Sequence, residues 1–413
     1  MTHRVVVTGI GTVNSLGLNA DETWEKALQG VSGVAPITLF DASRLLVQIA
    51  CEVKDFDPLN YMSGKEARRS DRFEQFAYVA AMEALDQSGL VISPEIAPRV
   101  AVIVASSAGG LASFENAVST LRESGPRRLS PHVIPMFMPN GAGSKIAIAI
   151  GAQGPCFSVA SACASGADAI GQACMLLRTG VVDVAVTGAT EATVAETGIA
   201  AFDRLGALSR RNQSDHLPPS PFDEGRDGLV MGEGAAIMVL ETLEHAQARG
   251  AEILVELAGY ASTADAFHVT APAQDGLGAA AAIKGALKNA GIDAQEVDYV
   301  NAHGTGTRLN DVTETLSIKI ALGDQAYQIP ISSTKSMTGH KMGATAALEA
   351  IFCVQAILTN MVPPTINLRQ PDPECDLDYV PNQARELPVR TAISNAFGFG
   401  GHNAVLALRT FSG

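Results

Sequence analysis

Cys163 stands in the segment SVASACASGADAIG, a thiol among Ala, Ser and Gly residues where a helix is about to begin. In the first turn of that helix the sulfur would face amide hydrogens without intrahelical partners and the positive end of the helix dipole, and both favour thiolate. Small flanking residues let a substrate carbonyl approach and leave the Cys163 amide free to donate to its oxygen. The chemistry this supports is acyl transfer through a covalent thioester. An isolated cysteine is more often a buried structural residue, which is the reading for Cys51, Cys156, Cys174, Cys353 and Cys375.

Three further segments carry reactive or mobile groups. VNAHGTGT, from Val300, puts His303 at the end of an apolar strand and follows it with Thr305 and Thr307, hydroxyls suited to an amide-bearing substrate arm. STKSMTGHKMGA presents Lys335 and His340 five residues apart before a helix, and SNAFGFGGHN, from Ser394, is a glycine-punctuated turn ahead of the final strand, with Phe397 and Phe399 as aromatic plugs. Taken singly, these read as a structural histidine, a surface lysine, a helix-start histidine and a hairpin turn. Their value lies in their combination.

The elements that must position these residues alternate. Short β-branched runs at 4–8, 100–106, 182–187, 235–240, 253–258, 297–301, 329–333 and 404–408 predict strands, several of them apolar throughout and so buried on both faces. Helices are expected over 72–87, 166–178, 278–289, 312–322 and 343–358, which makes the chain α/β. The segments from Ser158 and from Ser332 each pass from an apolar run through a small-residue turn into an Ala-rich helix. That is either a duplicated plan or the ordinary recurrence of strand, turn and helix. At 413 residues two closely packed units are expected, 1–250 and 251–413, while the Pro-rich, charged loop at 208–228 belongs at the surface or around a site mouth.

Composition narrows the function. The 29 Lys and Arg against 43 Asp and Glu leave a net charge of −14, which opposes binding to nucleic acid or an anionic membrane surface. The N-terminal MTHRVVVTGIGTVNSLG begins directly with a strand-like run, no stretch approaches about 20 continuous apolar residues, and the cysteines form no CxxC pair. A cytoplasmic enzyme without structural zinc, disulfides or a membrane span is the expectation.

The four segments, in this order and across the whole chain from VVVTGIGTVNSLG to FGFGGHN, resemble the β-ketoacyl-acyl carrier protein synthases, in particular their elongating synthase II group. The resemblance implies a thiolase-like αβαβα fold of two related halves, true duplication, and a homodimer. It implies that Cys163 takes an acyl chain from an acyl carrier protein thioester, with the amides of Cys163 and Phe399 as the oxyanion hole. His303 and His340 would stabilise the enolate left when malonyl-carrier loses carbon dioxide, and the chain would grow by two carbons. Lys335 would sit near His340 and keep it neutral, with Glu314 and Asp311 balancing Lys335 and Glu349 in a structural place. Phe399 would gate the site on Gly398, Gly400 and Gly401, and Thr270, Thr305, Thr307 and Ala108 would line the substrate path, the small Ala108 deepening the acyl pocket. No intrinsic cofactor and no metal are expected, because the substrates ride on the phosphopantetheine of the carrier. Against the acidic background, Lys65, Arg68 and Arg69 in GKEARRSDR and Arg127 and Arg128 in GPRRLS are the expected dock for the acidic carrier.

Nearby alternatives fit less well. A degradative thiolase needs a second cysteine near the C-terminal turn, and none follows Cys375. A starter-type synthase carries one His and an Asn where KSMTGH here supplies a second His. A non-catalytic partner subunit would lack Cys163. The ketosynthase of a dissociated polyketide system shares all four catalytic residues and stays as the rival.

Overall fold

The computed structural model describes residues 2–213 and 218–412; residues 214–217, inside the 208–228 loop, lie outside the described residues. Ten strands share one hydrogen-bonded sheet: β1 (Val5–Asn14), β2 (Val100–Ala105), β3 (Cys156–Phe157), β4 (Val184–Glu191), β5 (Gly234–Thr242), β6 (Val255–Ala264), β7 (Tyr299–Asn301), β8 (Ile331–Ser332), β9 (Thr391–Gly398) and β10 (His402–Arg409). β1, β2, β4 and β5 are buried at every position, as their Val, Ile and Ala content requires of strands covered on both faces.

The spatial order is β8-β7-β9-β10-β6-β1-β5-β4-β2-β3. Within each set of five strands the order is third, second, fourth, fifth, first. The pairing repeats as well: the first three neighbours are parallel and the last two contacts antiparallel. The sets meet only where Val6 and Val7 of β1 pair with Glu256 and Val255 of β6. The duplicated plan suggested by two sequence segments is therefore a repeat of the whole topology.

The helices that shape the site are α1 (Arg72–Ser88), α2 (Leu111–Ser124), α3 (Ser165–Arg178), α4 (Leu277–Ala290), α5 (Arg308–Leu322), α6 (Lys335–Thr338) and α7 (Thr345–Thr359). α1, opened by an Asp71–Glu74 capping box, covers the outer face of β1 and β5, and α4 covers β6 and β10. Between the two strand sets lie α3 and α7, which pack on each other and on both sets, giving the five layers αβαβα. α7 is mostly apolar, with Glu349 and Gln355 its interior polar residues, and every residue from Thr345 to Ile357 is buried, the pattern of a helix enclosed by protein. A Cβ on Gly166 of α3 would lie 2.8 Å from the backbone at Ala347 and Gly343, so this crossing demands glycine.

All eight expected strands and all five expected helices form, with ends shifted by a few residues. Two strands of this ten-stranded sheet went unread. β3 is two residues long, and β9 lies where glycine punctuation suggested only a turn; it forms a hairpin with β10, and its other partner, β7, comes from a distant part of the chain. Cys156 differs from expectation too: it is exposed on edge strand β3, whereas Cys51, Cys174, Cys353 and Cys375 are buried, and all are free thiols.

Candidate active site

Cys163 lies just ahead of α3 rather than in its first turn. Ser165 is the first helical residue and Ala164 the cap, after a tight turn in which Ala162 has φ +50°. The turn is tied locally: Ser165 Oγ accepts from the Ser161 amide at 2.8 Å and donates to the Ala162 carbonyl at 2.6 Å. It is also held from the second half. Tyr260 of β6 donates to Asp168 of α3 at 2.7 Å, and the other oxygen of Asp168 accepts from Ser161 Oγ.

Strand β9 brings the C-terminal turn against this nucleophile. Gly398 passes so close that a Cβ there would lie 3.0 Å from the Cys163 amide nitrogen and from the Ser161 carbonyl oxygen. The backbone amides of Phe399 and Cys163 lie close enough to the Cys163 sulfur to favour its charged form. Gly400 follows with φ +82°, and the Phe399 ring stacks on Phe202 with centroids 6.3 Å apart.

His340 Nε2 lies 3.1 Å from Cys163 Sγ, and the His303 ring stands nearly perpendicular to that of His340 at 5.4 Å. The loop carrying His303 is fixed by Glu314 of α5, whose two oxygens accept from the His303 and Gly304 amides, each at 2.7 Å. Burial, and after it the charge of Lys335, pulls both imidazoles well below their ordinary range, so both are neutral at pH 7. Burial also pushes the Cys163 thiol up to about 11, against the pull of the two amides and Lys335. The helix end thus does not make a resting thiolate, because desolvation outweighs it.

Lys335 has a different counter-ion from the expected one. Its ammonium meets Glu349 of α7 at 2.6 Å, both groups being shut off from solvent. Burial still drives the Glu349 carboxyl up to about 7 against that attraction. Asp311 belongs to another cluster: it accepts from the Phe222 amide at 2.9 Å and faces Arg226 at 3.4 Å, and Arg226 also binds Asp372. Glu314 serves the His303 loop, as described, and acts on Lys335 only at a distance.

The reactive groups open into a cavity of about 560 Å³. Cys163, His303, His340, Gly398 and Phe399 line it, together with Thr270, Thr305 and Thr307. Ala108 is not in this lining: its amide is tied to Glu191 at 3.1 Å in a loop held by that carboxylate. Lys65, Arg68, Arg69, Arg127 and Arg128 are all exposed.

Sequence reasoning missed several contributors. Arg226, Asp227 and Gly228, from the loop expected at the surface or around a site mouth, line the cavity, as do Phe202 and Met342, none of which was singled out. Among the described residues, Lys341 is buried without a carboxylate partner. Its ammonium donates to the Thr338 carbonyl at 2.9 Å, and burial pulls it down to about 7. The spacing of Lys335 and His340 drew attention away from it.

The sequence profile described as "Beta-ketoacyl synthase, N-terminal domain" matches residues 2–246, and "Beta-ketoacyl synthase, C-terminal domain" matches 254–369. The chain is 48% identical over 408 residues to 3-oxoacyl-[acyl-carrier-protein] synthase 2 of Synechocystis sp., covering 99% of this chain and 98% of that one. It is 47% identical over the same length, with the same coverage, to the Staphylococcus aureus protein of that name. Among solved structures it resembles a type II polyketide ketosynthase bound to its acyl-carrier protein, with TM-score 0.91, 35% identity and full coverage of both chains. A Burkholderia phymatum β-ketoacyl synthase gives TM-score 0.91 and 36% identity over 99% of this chain and 100% of that one.

Two outcomes follow from the buried charges. Glu349→Ala leaves Lys335 without its counter-ion and is expected to cost about 3–5 kcal/mol, read by denaturant unfolding. For Lys341, an unfolded lysine holds its proton to about 10.5 while the folded one loses it near 7, so its contribution to stability rises with pH across that interval. Lys341→Met is expected to stabilise the protein most at and below pH 7, with the gain fading toward pH 10; unfolding curves over that range check it.

Proposed function

The chain belongs to the β-ketoacyl synthase family, and on that premise we propose that it is a 3-oxoacyl-[acyl-carrier-protein] synthase of fatty acid biosynthesis, with Cys163 as its nucleophile. The observation that carries this reading is His340 Nε2 at 3.1 Å from the Cys163 sulfur, beside a second neutral histidine and the Phe399 turn, all lining one cavity.

In the first half-reaction the Cys163 sulfur attacks the thioester carbonyl of an acyl chain delivered on the phosphopantetheine of acyl carrier protein. The carbonyl oxygen collects charge under the amides of Cys163 and Phe399, the carrier thiolate leaves, and the thiol proton ends on the carrier. Malonyl-carrier then enters along the threonine-lined path. Its carboxylate departs as carbon dioxide, the bonding electrons pass into an enolate, and N–H donors from His303 and His340 stabilise the enolate oxygen. Neutral imidazoles suit this role, since each offers a hydrogen-bond donor without a charge that would take up the carbanion's electrons as an acid. The carbanion attacks the acyl-Cys163 carbonyl, a carbon–carbon bond forms, and the Cys163 sulfur is released from a chain two carbons longer. Lys335 holds the histidines neutral, and Phe399, on its glycines, gates the passage between the two half-reactions.

The carrier is proposed to dock on Lys65, Arg68, Arg69, Arg127 and Arg128, exposed cations on an acidic protein. A division near residue 250 is supported by the profile matches and the repeated strand order. A homodimer is supported by the uncovered edge strand β3 and by apolar surface nearby: Phe157 and Ile148 are exposed, and α2, with Phe114 and Leu121 outward, buries no residue. A cytoplasmic location accords with a carrier-borne substrate. The rival reading, a polyketide ketosynthase, finds support in several neighbours, one of them a ketosynthase in complex with its chain length factor. The 48% identity to a fatty acid enzyme against 35% to the polyketide one supports the first reading.

With acyl- and malonyl-carrier protein the wild type is expected to form 3-ketoacyl product, and Cys163→Ala to lose it by at least a thousandfold; undiminished product without the thiol would end this mechanism. In light scattering the active protein is expected at twice the chain mass, without a second kind of subunit, and Phe157→Asp at the chain mass.

A further inference from the structure

We infer that Thr345 is a positioning residue that fixes the tautomer of His340, holding its lone pair on Nδ1 and its proton on Nε2, toward Cys163. The inference rests on the proposed role of His340 in handling the malonyl half.

Thr345 is the first residue of α7 and is buried. Its Oγ1 accepts from the Lys341 amide at 2.7 Å, and an amide has no choice but to donate. The same oxygen lies 2.9 Å from His340 Nδ1. The hydroxyl has one proton to give, and among the described residues Nδ1 is its only other hydrogen-bond partner. If Nδ1 carried the imidazole proton, two donors would converge on Oγ1 and the hydroxyl proton would be left unpaired in a buried place. With the lone pair on Nδ1, all three groups are satisfied.

The consequence reaches the reaction. With its proton on Nε2, 3.1 Å from Sγ, His340 is a hydrogen-bond donor into the space where the thioester and enolate oxygens form, and not a base for the thiol. Protonation of His340 is opposed by burial and then by the charges of Lys335 and Lys341, and Thr345 would have to turn its proton away from its only acceptor among the described residues. The charged or titratable groups acting on the ring are those two lysines, with Cys163 and His303 at its Nε2 face. His303 is held differently. No protein group among the described residues hydrogen-bonds its Nδ1, so its tautomer is not fixed by this device. The two histidines are therefore unequal: one is locked as a donor, and the other is free to exchange its proton.

The test compares wild type, Thr345→Val, Thr345→Ala and Thr345→Ser. ¹⁵N-histidine spectra, with His340 assigned by its absence in His340→Ala, are expected to show the proton on Nε2 in wild type and Thr345→Ser. In Thr345→Val and Thr345→Ala the two tautomers are expected to mix. Condensation is expected to fall about tenfold or more in the Val and Ala variants, with the acidic limb of the pH profile moving up by about one unit. The Ser variant is expected to stay within about threefold of wild type, with its limb unmoved. The inference is overturned if wild-type His340 carries its proton on Nδ1, if either folded variant lacking the hydroxyl keeps the wild-type tautomer and profile, or if Thr345→Ser behaves like Thr345→Ala. Should His340→Ala condense at the wild-type rate, the proposed role of His340 fails instead, and the spectra still decide the tautomer.

Discussion

Gly398 runs within contact distance of the backbone at Cys163, and the geometry of the site depends on that approach. The glycine ends a strand of the second half, and the cysteine sits on a turn of the first. A methyl group at position 398 would press on the Cys163 amide and the Ser161 carbonyl. Because it is absent, the Phe399 amide comes near enough to act on the same sulfur as the Cys163 amide, and the oxyanion site of the proposed mechanism would be built from both halves. The same meeting is braced elsewhere by Tyr260 on Asp168 and by the Gly166 crossing of the two central helices. A repeated topology that converges on its own pseudo-symmetric centre is well suited to this, since the turns that carry these groups are anchored on rigid strands and helices of both halves.

Electrostatics in this centre follows from burial more than from any single pair. Desolvation keeps the thiol protonated and both imidazoles neutral, and Lys335 adds to the second effect while the amides and Lys335 oppose the first. The arrangement stabilises charge only when a substrate brings it, as thiolate, tetrahedral oxyanion or enolate. The buried Lys335–Glu349 pair is the costliest part of this setting, and its attraction does not overcome the desolvation of Glu349.

Much of this was legible in the sequence where chemistry is written locally. Cys163 among small residues, His303 before alternating Gly and Thr, and the glycine turn around Phe399 each carry their meaning within a few positions, and the order of the four segments carried the family. What could not be read depends on encounters between distant segments. Glu349 and Asp311 are equally acidic on paper, and only the packing of α7 against α6 decides that the first binds Lys335 while the second binds Arg226. The thiolate expected from a helix end failed because burial is a property of the whole fold. Ala108 was placed on the substrate path by resemblance, yet its loop is tied to Glu191, which lies 83 residues away. Strand β9 was hidden by its glycines, and Thr345 is an unremarked residue at a helix start until His340 is seen beside it.

The central claim is a division of labour: Cys163 stores the acyl group, and the two histidines act on the malonyl group. Intact-mass measurement on His303→Ala and His340→Ala, after incubation with acyl-carrier and then malonyl-carrier protein, tests it most directly. The account predicts that both variants carry the acyl mass on Cys163 and keep it when malonyl-carrier is added, releasing no 3-ketoacyl product. Variants that never acquire the acyl mass, or that discharge it into product at the wild-type rate, would contradict it.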